Sequence, residues 1–128
     1  MKTNDDIESY LIGMDLQYEV LEEGLWIIHH EAADIVVAHT PPVIVFRVKV
    51  YDLPATNREA LFRKLLELNA QELVHGAFGI EDDVVVLTDA LQSENLDLNE
   101  FQASIESLAM AVSEHHDVLA PFQPAATA

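Results

Sequence analysis

Histidines and carboxylates are the side chains of this chain that could do chemistry: it has 6 His and 23 Asp+Glu, and no cysteine. Histidines that share a metal ion must reach it from one face, so their spacing decides. His29 and His30 are adjacent in a predicted strand and point to opposite faces. His115 and His116 are adjacent at a predicted helix end, about 100° apart around the axis. Imidazoles near a helix C-terminus are favourable with its dipole, which accounts for that pair without a ligand. No His-x3-His or His-Glu-x-x-His string occurs. No metal site is predicted.

Other chemistries leave no better trace. The chain lacks Gly-x-Gly-x-x-Gly, Gly-Lys-Ser/Thr and Gly-x-Ser-x-Gly, so neither a phosphate cradle nor a nucleophile elbow is visible. Glu81-Asp82-Asp83 lacks the alternating oxygens and the glycine of a calcium loop. With so many acids, some carboxylates lie close by chance, and no nucleophile–base set can be named. Without cysteine, thiol catalysis, disulfides and Cys-ligated clusters are excluded. The expectation is a non-enzymatic protein with no cofactor and no catalytic residues.

Charge narrows the partners. Six Lys+Arg against 23 Asp+Glu give a net charge of −17. Binding nucleic acid needs cations to neutralise phosphates, and an anionic membrane surface would repel this chain. Neither is an expected partner. The charge is uneven: residues 1–46 sum to −8 and residues 47–64 to +3, and no Lys or Arg follows Lys64. The start Met1-Lys2-Thr3-Asn4-Asp5-Asp6 is not a signal peptide, and no apolar run approaches about 18 residues. A cytoplasmic location is the expectation.

Elements that must position any site follow from periodicity. At 128 residues the chain is one domain, expected over residues 1–117, with 118–128 as a short proline-broken tail. A first helix is predicted over Asp5–Met14, opened by a Thr3/Asp6 capping box, with Ile7, Tyr10, Leu11 and Met14 on one face. Strands are predicted at Tyr18–Leu21, Leu25–His30, Asp34–His39 and Val43–Tyr51, separated by Glu22-Glu23-Gly24 and by Thr40-Pro41-Pro42. A second helix, with Thr56 and Glu59 as its capping box, should run to about Leu73. Leu61, Phe62, Leu65, Leu66 and Leu68 are its apolar face.

A hairpin of Gly76–Ile80 and Val84–Leu91 should turn at Asp82-Asp83. Asp97 should cap a third helix ending near His115–Asp117, striped by Leu98, Phe101, Ile105, Leu108 and Val112. The order α-β-β-β-β-α-β-β-α reads as α+β: a twisted antiparallel sheet with three helices. Its predicted core includes Trp26, Ile28, Phe46, Val48, Leu65, Phe78, Ile80, Leu87, Phe101, Ile105 and Leu108.

Three strings carry a resemblance: Leu61-Phe-Arg-Lys-Leu-Leu-Glu-Leu-Asn69, His75-Gly-Ala-Phe-Gly-Ile80 and Asp82-Asp-Val-Val-Val-Leu87. They look like the centre of the type III secretion chaperone-like fold, and more narrowly of its YbjN-like branch, labelled bacterial sensory transduction regulators. Gly24-Leu-Trp-Ile-Ile28 and the helix after Leu96-Asp97 fit the same pattern. The similarity spans about Asp5 to Asp117 and implies a small, acidic, cytoplasmic homodimer that holds an extended segment of a client protein without ATP.

Two surfaces follow as expectations. Part of the second helix and the neighbouring strand, with Leu61, Phe62, Leu65, Leu66 and Phe78, should form a homodimer interface. Ile7, Tyr10, Leu11 and Met14, flanked by Asp5, Asp6, Glu8 and Asp15, are the candidate client-binding stripe for a segment mixing apolar and basic residues. The same stripe could equally pack on the sheet. The alternatives are a YbjN-like regulatory domain with no secretion client, and a small-ligand or metal-binding protein that uses the histidines.

Overall fold

A computed structural model of the chain describes residues 2–31 and 33–124. The elements are α1 (Asn4–Gly13), β1 (Tyr18–Glu22), β2 (Leu25–His29), β3 (Asp34–Thr40), β4 (Val43–Asp52), α2 (Arg58–Gln71), β5 (Ala77–Glu81), β6 (Val84–Gln92) and α3 (Leu98–Leu119). A single 3-10 turn, Ala120–Phe122, follows α3. The expected order of three helices and six strands holds.

All strand pairs are antiparallel, in the order β1-β2-β3-β4-β6-β5. The first four strands form a meander. After α2 the chain enters the far edge as β5, and β6 closes the gap beside β4. Side chains alternate between faces, so the register Trp26↔Val37↔Phe46 puts these three on one side. Ile27, Val36, Arg47 and Thr88 align on the other.

The helices cover the first face. Phe101 of α3 sits 5.5 Å from Phe46 and 5.6 Å from Tyr10 of α1, ring centre to ring centre. Ile7, Leu11, Ile28, Phe46, Leu61, Leu87, Phe101, Ile105 and Leu108 have no exposure. Of the predicted core, Ile80 alone is misplaced, being 43% exposed. It lies near the end of the edge strand β5, beside which the sheet has no further strand among the described residues.

Local signals worked where side chains could reach the backbone. Thr3 and Asp6 form the reciprocal capping box of α1, and Asp97 accepts from the Glu100 amide at 2.8 Å. The Thr56/Glu59 box does not form: Asn57 occupies the N-cap of α2 at φ 59, without a side-chain cap. Asn tolerates this left-handed conformation better than most residues, and it turns the chain so that the helix starts one residue later than a Thr56 cap requires. Arg58 instead donates to the Pro54 carbonyl at 2.6 Å. The hairpin turn falls at Asp82-Asp83 as expected, both with positive φ, the pattern of a type I′ turn.

α2 ends at Gln71 instead of near Leu73. α3 runs on to Leu119, beyond the expected His115–Asp117. Buried Leu119 anchors that extra turn, and its carbonyl accepts from the Tyr51 hydroxyl at 2.8 Å. Of the tail expected over 118–128, Val118 and Leu119 are thus helical, and residues 125–128 lie outside the described residues. Gly76 shows why the strand beginning here needs glycine: its φ is +78, and a Cβ would come within 2.6 Å of the Thr88 carbonyl oxygen.

Candidate functional site

The stripe of α1 is gathered on one face, as its spacing requires, but that face turns inward. Ile7 and Leu11 have no exposure, and Tyr10 and Met14 pack half-buried against the core. Tyr10 donates to the Leu96 carbonyl at 3.2 Å, and Trp26 donates its indole N–H to Glu8 at 3.3 Å. These contacts fix α1 over β2 and beside α3. Ile7 and Leu11 share one buried core cluster with Trp26 and Ile28, and Tyr10 and Met14 pack against it.

What α1 and the strand after it leave outside was not singled out from sequence. Ile12 is 64% exposed, Val20 55% and Leu21 53%. β1 is the outer strand of the sheet, with β2 on one side and, among the described residues, no strand on the other. Its ladder slips between Val20 and Glu22, a bulge that breaks the alternation of side chains. Around these apolar groups stand Asp15, Glu19, Glu22 and Glu23, all exposed. The available signal was Val20-Leu21 itself: two successive apolar residues in a strand point to opposite faces.

At the other edge, the expected interface residues divide. Leu61, Leu65 and Phe78 are buried inside the chain, Phe62 is half-buried, and Leu66 is 67% exposed. Val74, in the loop after α2, and Ile80, on β5, are exposed as well. Asn69, whose role the sequence did not disclose, accepts from the Phe78 amide at 2.7 Å and donates to the Phe78 carbonyl at 3.1 Å. This side-chain amide occupies the backbone groups that a further strand would have met.

The histidines are dispersed. His29 bridges three strands, with Nε2 2.6 Å from Glu19 and Nδ1 3.1 Å from Asp34. The hydrogen bond to Glu19, then that to Asp34, raises its pKa. His39 is buried beside Asn4 at 2.7 Å, and burial lowers its pKa. His115, on the buried face of α3, lies against the Phe78 ring, 6.5 Å centre to centre. Among the described residues, no three His, Asp or Glu side chains are grouped to hold a metal ion. No helix among them is long and apolar enough to cross a membrane.

The geometry therefore consists of two sheet edges, an acidic and apolar one at β1 and one at β5 that α2 covers through Asn69. The family model CesT_Tir_1 matches residues 1–124. Among curated proteins no sequence matches the chain. Among solved structures, a chain of the ExoU–SpcU complex from the type III secretion system of Pseudomonas aeruginosa superposes with a TM-score of 0.70 at 16% identity. That match covers 84% of this chain and 93% of the other. YbjN from E. coli gives 0.69 at 14%, covering 91% and 92%. A chain of the HopA1–SchA chaperone–effector complex gives 0.64 at 8%, covering 83% and 86%. At such identities the superpositions establish the fold.

Proposed function

We propose, on the premise that the chain belongs to the CesT_Tir_1 family of type III secretion chaperones, that it is a non-enzymatic module holding an extended segment of another protein. The observation that carries this reading is the outer edge of β1, where Val20 and Leu21 stand exposed among acidic residues on a strand with one side unpaired. An extended segment can add to such an edge by main-chain hydrogen bonds, with alternate side chains giving specificity. The net charge of −17 favours basic residues in that segment and speeds encounter more than it deepens affinity.

The protein works as a cytoplasmic homodimer, with no nucleic-acid or membrane partner. Exposed Leu66, Val74 and Ile80 supply apolar contacts at the α2–β5 end. Arg58, Arg63 and Lys64 on α2 offset repulsion between acidic copies. Residues 47–64 sum to +3, so two copies that meet there gather less like charge.

The test is capture of a partner from the native host, followed by rebinding of the two purified proteins. The expected result is a stoichiometric complex in which one segment of the partner is shielded from protease, and which Leu21→Lys weakens. A purified pair that does not rebind, or that Leu21→Lys leaves unchanged, overturns the reading. A second reading, a regulatory domain with no exported client, draws on the likeness to YbjN. It is favoured if the rebinding partner is a protein that stays in the cell.

A further inference from the structure

β3 and β4 are paired from Thr40↔Val43 only as far as Val36↔Arg47. Yet β3 continues to Asp34 in its ladder with β2, and β4 continues to Asp52 in its ladder with β6. Among the described residues the two strands thus part company at one end of the sheet, and a cleft of about 460 Å³ opens there under the C-terminal half of α3. That volume is within the range of sites that take a ligand group.

Its walls are polar where His116 and Gln123 line it, and apolar at Val50, Tyr51, Phe78, Val112 and Leu119. Tyr51 does not change this, because its hydroxyl is committed to the Leu119 carbonyl at 2.8 Å. The rim is charged. Asp34 and Lys49 face the opening from the two parted strands. Lys49 is held by Asp52 at 3.1 Å and Asp34 by His29 at 3.1 Å. Asp52 adds a second carboxylate at the mouth, where Asp34 and Asp52 stand against Lys49 and against His29, whose charged form is favoured. The preference for a basic segment comes from the net charge of −17.

We propose that this cleft is a docking pocket for one bulky aliphatic or aromatic side chain of an extended, basic client segment. The inference rests on the client-binding reading above and adds a second anchor, away from the β1 edge. The anchor fills the apolar interior, while the segment's backbone meets strand groups that β3 and β4 no longer give each other. A Lys or Arg flanking the anchor meets Asp34 and Asp52.

The test titrates isotope-labelled protein with an end-blocked peptide, Lys-Thr-Leu-Thr-Lys, followed by amide NMR. Saturable shifts are expected at Asp34, Lys49, Val50, Tyr51, Val112 and Leu119. Replacing the central leucine with alanine, or both lysines with aspartate, should weaken binding roughly tenfold or more. Val112→Trp should fill the cleft and abolish those shifts; the peptide comparison on wild-type protein stands even if that variant misfolds.

Shifts confined to Val20 and Leu21 would overturn the cleft and leave the client-binding reading intact. Equal binding of the leucine and alanine peptides, or no saturation at millimolar peptide, overturns the cleft as a peptide site. Decanoate binding there in place of the peptide does so too, and marks a small-molecule pocket. Failure of the purified host partner to rebind, by contrast, strikes the broader reading.

Discussion

The side-chain amide of Asn69 pairs with both polar backbone groups of Phe78, accepting from its N–H at 2.7 Å and donating to its carbonyl at 3.1 Å. One residue of α2 thereby acts as a single rung of sheet ladder on the outer side of β5. It locks α2 to the sheet edge and satisfies groups that would otherwise be stranded beneath the helix.

Asn69→Leu keeps side-chain size and removes both bonds. Leaving the Phe78 groups without partners should cost about 1–3 kcal/mol. Thermal unfolding should begin several degrees lower, with faster amide exchange at Phe78 than at Leu87. Unchanged exchange at Phe78 would show that Asn69 is not its partner in solution.

Leu11→Asp tests where the α1 stripe belongs. Leu11 has no exposure, so the substitution removes core packing and inserts a carboxylate with no partner. Large-to-small losses alone cost about 2–5 kcal/mol in such sites, and an unpaired buried charge adds to that. The variant should unfold at least as readily as Phe101→Ala, measured by circular dichroism on heating. A wild-type melting temperature would return the stripe to the surface.

The order of elements was legible where local chemistry bounds them: Thr3 and Asp97 as caps, Gly24 and Asp82-Asp83 as turns. The α1 stripe was legible as a stripe but not as buried. Periodicity places Ile7, Tyr10, Leu11 and Met14 on one face, yet only the position of Trp26 and Phe101 decides whether that face is covered. The same limit hid Asn69, which reads as an ordinary polar helix residue until β5 lies alongside. Ile80 alternates correctly for the core but reaches past its cover. The cleft depends on where two ladders stop, and ladder lengths are tertiary facts.

His29 should titrate above an ordinary histidine, because Glu19 and Asp34 bond to its charged form. A raised folded-state pKa means that its stabilising contribution is fully present below the unfolded value of about 6.5 and fades as pH rises through the folded value. Imidazole NMR should show the elevated midpoint, and Glu19→Gln should bring it down. His29→Gln should flatten the decline in melting temperature as pH rises above about 6.5. His39 works in the opposite sense: burial lowers its pKa, so what it contributes is lost as pH falls. An ordinary His29 midpoint would remove the three-strand bridge.

Leu66 offers the cleanest test of self-association. It is 67% exposed on a helix whose other leucines, 61, 65 and 68, are buried, so replacing it disturbs no core contact. If the α2–β5 ends of two copies meet across a two-fold axis, each Leu66 is near the junction and is desolvated twice over. Leu66→Asp would place two further carboxylates there, between chains that already carry −17 each. Light scattering at micromolar concentration should report a dimer for the wild type and a monomer for the variant, with equal helix content by circular dichroism. Because Arg63 and Lys64 flank the site, Leu66→Ala should weaken the dimer less than the aspartate does, since it removes apolar contact without adding charge. A wild-type monomer would refute the dimer outright, and a Leu66→Asp dimer of wild-type strength would move the interface elsewhere.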